Sequence, residues 1–289
     1  MDLEYLRAHP HQLPMFIEHQ RIRCTPVGSG ATGVSQRLTL DDGSDVFAKF
    51  LEDGPEGLMA AEQRGLRWMA QAGAPVPELL CGTDEVLVTE WITPGAPSPA
   101  GAEALGRGLA RLHRAGAETF GAPWRGYIGS APMDNTALET SWPQWFASRR
   151  LRPYLRASVD NGSLDGSDAR RVEAVMSRLP ALSGPAEPIA RLHGDLWPGN
   201  LLWDAAGRGW LIDPAAHGGH RETDLACLHL WGGPAHLDRI VAGYQDVWPL
   251  AEGWRERLGL HQLFLLLVHT TLFGRSYRDQ VLASASVFE

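Results

Sequence analysis

His193-Gly194-Asp195-Leu196-Trp197-Pro198-Gly199-Asn200, followed by Leu211-Ile212-Asp213-Pro214, is the stretch that decides the fold. An aspartate is followed five residues later by an asparagine, and thirteen beyond that by a second aspartate. One carboxylate can orient and deprotonate an acceptor hydroxyl. The amide and the second carboxylate are hard oxygen ligands, suited to holding Mg²⁺ against nucleotide phosphates. The spacing predicts a phosphoryl-transfer site with Asp195 as base and Asn200 and Asp213 as metal ligands. An Asp/Asn turn between two strands is common by itself. What argues against that reading is the set of residues upstream.

Gly28-Ser29-Gly30-Ala31-Thr32-Gly33 fits two phosphate-binding folds. In a dinucleotide fold the string opens a helix, and an acidic residue about twenty positions on binds ribose. Here Val34, Leu38 and Leu40 lead to an Asp41-Asp42-Gly43 turn and then to Val46-Phe47-Ala48-Lys49-Phe50. Two strand-like runs around an Asp-Gly turn predict a hairpin. That favours a glycine flap whose backbone N–H groups at Gly28, Ser29, Gly30 and Gly33 cover phosphates. The valine after Gly33 comes one place earlier than in the protein-kinase string. Lys49, on the second strand, is placed to contact phosphates. Glu62, on a following helix, is its expected ion-pair partner. That helix is expected to start at Asp53-Gly54-Pro55-Glu56, with Asp53 as cap, and to stop near Gly73. Leu87 to Ile92 reads as a strand whose end, Glu90-Trp91-Ile92, would contact adenine through its backbone.

Thr93-Pro94-Gly95-Ala96-Pro97-Ser98-Pro99 is the clearest linker. The expected organisation is a nucleotide-binding lobe over 1–92 and a helical catalytic and acceptor-binding lobe over 93–289. Leu105, Leu109 and Leu112 recur at helix spacing, as do Trp142 to Leu151 and Val172 to Leu179. Loops are expected at 161–167 and 183–185, and one or two apolar helices over 254–283. The fold class is therefore α+β: a bilobal, protein-kinase-like fold with a small β-rich N-lobe, a larger mostly helical C-lobe and the active site in the cleft between them.

A length of 289 residues suits two lobes, and 44% hydrophobic with 21% charged residues is ordinary for a soluble globular protein. A net charge of −8 argues against nucleic acid as a partner. The longest apolar run, 263–268, is six residues, far short of the ~20 that cross a bilayer. The N-terminus lacks a basic-then-apolar leader, and Cys24, Cys81 and Cys227 form no CxxC pair. Reduced thiols and a cytoplasmic location are the resulting expectations. His217-Gly218-Gly219-His220 invites a zinc reading, but no further ligands stand at zinc-site spacing.

The residues after Asp213 narrow the acceptor. A protein kinase continues with Phe-Gly, a long activation segment and Ala-Pro-Glu. Here Asp213-Pro214-Ala215 reaches Asp224-Leu225-Ala226 within eleven residues, and Gly194 stands where an arginine would pair with an activation-loop phosphate. A small-molecule acceptor is expected, with Trp197 at the border of its pocket.

These residues resemble the fructosamine (ketosamine) 3-kinases, relatives of the aminoglycoside phosphotransferases and choline kinases. The specific elements are Trp197 after Asp195-Leu196, Ile212-Asp213-Pro214-Ala215, and Gly219-His220-Arg221-Glu222-Thr223-Asp224-Leu225-Ala226. Supporting similarity runs from Leu105 to Phe273-Gly274. The resemblance implies ATP- and Mg²⁺-dependent phosphorylation of the 3-hydroxyl of a sugar-derived ketoamine, as a step in deglycation. It implies the roles given above for Asp195, Asn200, Asp213, Lys49 and Glu62. It also implies that His193 and Asp224 brace the catalytic loop, and that His217, His220, Arg221 and Glu222 lie on the acceptor side with Trp197. Two other readings remain: an aminoglycoside- or choline-type phosphotransferase, and a nucleotide-binding pseudokinase.

Overall fold

The computed structural model describes residues 1–18, 22–30, 33–51, 54–138 and 140–288, with backbone alone at 28–30. Ala31, Thr32 and Asp53 of the expected flap and helix cap lie outside these. Helices α1 (Leu3–Ala8) and α2 (Leu13–Glu18) precede strands β1 (Arg23–Gly30), β2 (Gly33–Thr39) and β3 (Asp45–Phe50). Helix α3 (Leu58–Gln71), β4 (Leu79–Gly82) and β5 (Val86–Glu90) complete the small lobe. The sheet is antiparallel in the order β1-β2-β3-β5-β4. Pro26, which cannot donate to a ladder, stands on the edge strand β1. The Asp41-Asp42-Gly43 turn joins β2 to β3 as the sequence predicts, with Gly43 N–H bonded to Leu40 O at 3.0 Å.

Strand alternation decides where the lysine goes. Val46 and Ala48 of β3, with Val86 and Val88 of β5, pack with Leu6, Leu13 and Leu38 on the outer face of the sheet. Phe47, Lys49 and Leu87 therefore face α3 and the cleft. Helix α3 begins at Leu58, behind Gly57, past the expected capping sequence. The Asp-Gly-Pro-Glu stretch is thus not the helix start, because the first apolar residues that can bury are Leu58 and Met59. These two, with Leu66 and Met69, join Leu105, Leu109, Leu112, Leu211 and Leu225 in one core that spans both lobes.

Residues 91–98 run without helix or strand to α4 (Pro99–Arg114). Ser98 caps α4 through a 3.0 Å bond from Gly101 N–H, with Pro99 at the first helical position. The remaining elements are the hairpin β6 (Gly126–Ile128) and β7 (Ala131–Met133), α5 (Trp142–Phe146), one π-helical turn at Ala147–Leu151, α6 (Arg152–Asp160) and α7 (Gly166–Leu182). Asp165 and Asp168 form a capping box for α7, so the loop expected over 161–167 ends at 165. After α7 come β8 (Ala190–Leu192), β9 (Leu201–Trp203), β10 (Gly209–Leu211), β11 (His217–Gly219), α8 (Glu222–Leu228), α9 (Leu237–Val247), α10 (Leu258–Phe273) and α11 (Arg278–Ser286).

The apolar run 263–268 is the middle of α10. All six side chains are buried among Trp145, Phe146, Leu155 and Val281. A helix apolar all round belongs inside a core or a bilayer. Here it is the axis of the larger lobe, and no helix among the described residues is long and apolar enough to cross a membrane. The whole is a bilobal α+β fold of the kinase-like kind.

Candidate active site

Two short antiparallel strand pairs bring the sequence motif together. Strands β9 and β10 pair antiparallel with Leu201 opposite Leu211, and Ile212 N–H bonds to Asn200 O at 3.1 Å. The segment between Asn200 and Asp213 is therefore a hairpin whose base sets the two side by side. Strand β11 then pairs with β8, His217 opposite Leu192, which folds 213–217 back over the loop that carries Asp195. Asp213 sits at φ 52, in the left-handed region that aspartate tolerates better than most residues. Such backbone strain is concentrated at functional sites.

Around this loop the polar groups converge on one cleft cavity of about 230 Å³. Lys49 Nζ lies 2.8 Å from Glu62 Oε2 and 3.2 Å from Asp213 Oδ1, so strand β3, helix α3 and the catalytic segment meet at one ammonium. Burial pulls the Lys49 pKa down, but Glu62 and Asp213 outweigh it and hold Lys49 above the ordinary lysine range. The Asn200 amide nitrogen donates to Asp195 O at 2.7 Å and to Asp195 Oδ2 at 3.1 Å. That assignment turns the Asn200 carbonyl oxygen away from Asp195. Asp195 borders the cavity, yet its carboxylate is crowded by protein on its other sides. Its pKa is pushed up to about 8, first by burial and then by the Asp213 and Asp224 carboxylates, against the hydrogen bond from Asn200.

Beneath the loop, Asp224 is fully buried and accepts N–H bonds from His193 (2.7 Å) and Gly194 (2.9 Å). It also bonds His113 Nε2 on α4 at 3.0 Å, and His113 Nδ1 meets the Tyr244 hydroxyl on α9 at 2.8 Å. Burial would raise Asp224, but His113 and the donors around it hold its carboxyl below the usual range. His193 Nε2 lies 2.8 Å from Ile212 O, and Asp195 N–H points at His193 Nδ1 at 3.3 Å. These partners fix a neutral ring protonated on Nε2, in keeping with a pKa lowered by burial. Gly65 allows α3 to approach: a Cβ there would lie 3.1 Å from Ala216 Cβ and 3.4 Å from Pro214 Cγ. Helix α3, and Glu62 with it, is thereby seated directly on the segment after Asp213.

Six of the sequence-selected residues share the cavity wall: Lys49, Glu62, Asp195, Trp197, Asn200 and Asp213. Gly199 lets the Trp197 indole lie back across the chain, since a Cβ at 199 would fall 2.0 Å from that ring. The rest are placed elsewhere. Glu90, Trp91 and Ile92 are not among the cavity's described walls. The Glu90 carboxylate accepts from Glu78 N–H at 2.9 Å, and Arg37 lies 5.2 Å over the Trp91 ring.

Contrary to an acceptor-side position, His217, His220, Arg221 and Glu222 are buried and do not border the cavity. His217 bonds Ala215 O through Nδ1 at 2.9 Å and takes Arg150 Nε–H at 3.4 Å on its other nitrogen. Burial first, then the Arg150 charge, press it down to about 3. Arg221 grips Glu187, and Arg257 grips both Glu222 oxygens at 2.6 and 2.8 Å. Their nearness to Asp213 in sequence reflects a shared scaffold: these groups hold the segment in place.

His220, Glu222 and His261 bring possible metal-ligand atoms within 4.8 Å of one another. The cluster is a poor metal site. His220 Nδ1 accepts Glu222 N–H at 3.2 Å, so in the neutral ring Nε2 carries the proton and has no lone pair to offer. Glu222 is already engaged twice by Arg257.

The remaining wall is not legible in the motif. It comes from Ser35 on β2, from Trp124, Tyr127 and Met133 around the β6–β7 hairpin, and from His269, Leu272 and Phe273 at the end of α10. Helix spacing marks α10 as core, yet its second half also lines the cleft, through Leu265, Val268, His269, Leu272 and Phe273.

A family model described as fructosamine kinase matches residues 15–286. A probable ketoamine kinase of Enterococcus faecium is 32% identical over 263 residues, 89% of this chain and 91% of that one. The crystal structure of a candidate fructosamine-3-kinase from Thermobifida fusca superposes with a TM-score of 0.87 at 46% identity, covering 92% of this chain and 93% of the other. The choline kinase LicA of Streptococcus pneumoniae, at 15% identity and a TM-score of 0.66 over 97% of this chain and 99% of that one, shares the fold.

Proposed function

The chain belongs to the fructosamine kinase family, and from that premise we propose that it phosphorylates the 3-hydroxyl of a sugar-derived ketoamine with ATP, releasing ADP. A kinase of this family takes ATP and a divalent cation; that the cation is Mg²⁺ is our reading of the donor set. We also take the lobe boundary to lie at 92/93, where β5 gives way to the linker.

The observation that carries the reading is the convergence of Lys49, Glu62, Asp195, Asn200 and Asp213 on one cleft from four separate segments. Asp195 borders the cavity with Trp197 and is the group to orient the acceptor hydroxyl and take its proton, an effect worth ~10²–10⁴ in rate. Asn200 and Asp213 supply an amide oxygen and a carboxylate, hard donors that fit Mg²⁺ and would hold it. Bound there with the nucleotide, Mg²⁺ supplies countercharge to the transferring phosphoryl and to Asp213, one of the carboxylates that raise Asp195. Lys49, kept cationic by two carboxylates, neutralises phosphate oxygens, and Glu62 fixes its reach. Asp224 and His193 hold the loop so that Asp195 points into the cleft. In this reading the backbone of Gly28, Ser29, Gly30 and Gly33 is the flap over the phosphates, and residues 90–92, from the end of β5 onward, lie beside adenine.

The short span from Asp213 to Asp224 supports a small acceptor over a protein docked on an activation segment. The test is ADP release over a panel of fructosyl-, ribulosyl- and erythrulosyl-amines, with aminoglycosides and choline as controls. Turnover confined to the controls would refute the ketoamine reading, and nucleotide binding without turnover on any acceptor would refute the kinase reading.

A further inference from the structure

The acceptor side of the cleft runs outward from Trp197 into a cluster of rings. The Trp231 indole meets Trp197 edge-on at 5.7 Å between ring centres and His269 at 5.0 Å, with Tyr277 at 6.3 Å. His269 in turn lies 5.3 Å from Phe273. Trp197, His269 and Phe273 border the cavity, so Trp231 extends the same wall beyond its mouth.

Core packing does not account for Trp231. Its surface is 43% exposed and that of Phe273 50%, so two large apolar faces meet solvent at the rim of the site. Its backbone sits at φ 52, ψ 33, a left-handed conformation that bulky side chains rarely adopt, although Gly232 and Gly233 come directly after it. The indole N–H is tied to Gln280 Oε1 at 2.9 Å, which fixes the rotation of the ring. A strained, exposed and oriented indole at the mouth of a cleft is the pattern expected of a ligand contact. Burial holds His269 below the ordinary histidine range, so it adds no cation of its own.

We propose that Trp231 is a specificity-determining residue that, with Trp197 and His269, receives the amine half of the acceptor: a protonated secondary amine bearing an uncharged aliphatic or aromatic substituent. This rests on the ketoamine reading above. In a ketoamine the nitrogen is only a few bonds from the 3-oxygen. With that oxygen at Asp195 and the sugar beside Trp197, the nitrogen and its substituent leave the cleft over these rings. Indole faces attract ammonium groups electrostatically, and their area covers an apolar chain.

The experiment uses the full chain with fructosyl-butylamine and fructosyl-benzylamine, comparing the wild type with Trp231→Gly and Trp231→Phe. Glycine adopts the observed φ freely, so the first variant removes the ring while relieving the backbone. Should it fail to fold, Trp231→Asn, which also tolerates this region, replaces it. The expected result is a KM for both amines raised about tenfold, a KM for ATP and a kcat changed less than about twofold, and most of the loss restored by phenylalanine. A merely structural role would move KM for ATP and kcat as well, and that outcome overturns the proposal. An unchanged acceptor KM beside an active wild type overturns the proposal alone. A wild type inert on every ketoamine overturns the proposal together with the reading beneath it.

Discussion

Replacing Asp224 by asparagine tests whether the catalytic loop is held from below. In the native protein one carboxylate oxygen takes His193 N–H at 2.7 Å and His113 Nε2 at 3.0 Å, and the other takes Gly194 N–H at 2.9 Å. Asparagine offers one acceptor. Its best orientation keeps the oxygen on His193 and His113, which turns the NH₂ group towards Gly194 N–H and sets two donors face to face. The side chain is fully buried, so water has no ready access to repair this. Losing one charge-assisted hydrogen bond and leaving a buried donor unmet costs about 2–4 kcal/mol. Against a typical stability of about 5–15 kcal/mol that is a large fraction, readable as a shifted urea midpoint at unchanged slope. Gly194 adjoins Asp195, so the proposed base moves with it. A misplacement on the order of 1 Å costs up to about a hundredfold in rate. Steady-state ADP release should therefore fall tenfold or more even at temperatures where the variant is folded. A stability loss under about 1 kcal/mol together with a kcat within twofold of wild type would show that Asp224 does not brace the loop.

Other expectations are as direct. Asp195→Asn should lower kcat by about two to four orders of magnitude while the Kd for ATP, measured by calorimetry, stays within about threefold; a variant keeping a tenth of the wild-type rate is incompatible with Asp195 as base. Asp213→Ala should abolish the Mg²⁺ dependence of nucleotide binding in a titration, and superimposable curves would remove Asp213 from the ligand set. Gly65→Leu should drive α3 off Pro214 and Ala216 and raise KM for ATP, because Glu62 leaves Lys49 with it; unchanged kinetics would mean that the pair does not depend on this contact. Stability should fall as the pH drops below about 6.5, where the unfolded chain takes up protons that buried histidines refuse. His217 and His220 are both pressed to about 3, chiefly by burial, so each contributes up to about 1.4 kcal/mol per pH unit between those limits. His220→Gln should reduce the slope of unfolding free energy against pH by one proton, and an unchanged slope would contradict a neutral, buried His220.

How much of the fold is legible in the sequence depends on how far each signal travels. The Asp41-Asp42-Gly43 turn, the leucine spacing of α4 and the apolar tail are local, and each corresponds to an element at the expected place. The short strand β4 and the hairpin β6–β7 leave no such mark, because three or four residues carry no measurable alternation and neither turn holds an Asn-Gly or Asp-Gly signal. Helix α9 comes after Gly232-Gly233-Pro234, which reads as loop, and its pairing with α4 is a tertiary fact. The start of α3 differs from its expected position because a capping sequence carries no information about the burial that decides where the helix begins.

The site divides along the same line. Asp195, Asn200 and Asp213 are few residues apart, and the β9–β10 hairpin between the last two needs only a short turn, so their spacing carries their geometry. Lys49 and Glu62 add a strand position and a helix position, which periodicity can supply. The acceptor wall has no such economy. The proposed wall draws scattered residues from β2, the β6–β7 hairpin and α10, with Trp231 beyond it, most of them aromatic or aliphatic and indistinguishable in sequence from core. Conversely, His217, His220, Arg221 and Glu222 look like chemistry in the sequence and turn inward in the structure, because a buried polar side chain and a catalytic one are the same residue types under different neighbours. Phosphoryl transfer needs charged groups at fixed spacing and leaves a motif; recognition of an uncharged sugar and its amine needs shape and π faces, which the chain assembles from wherever the fold brings them.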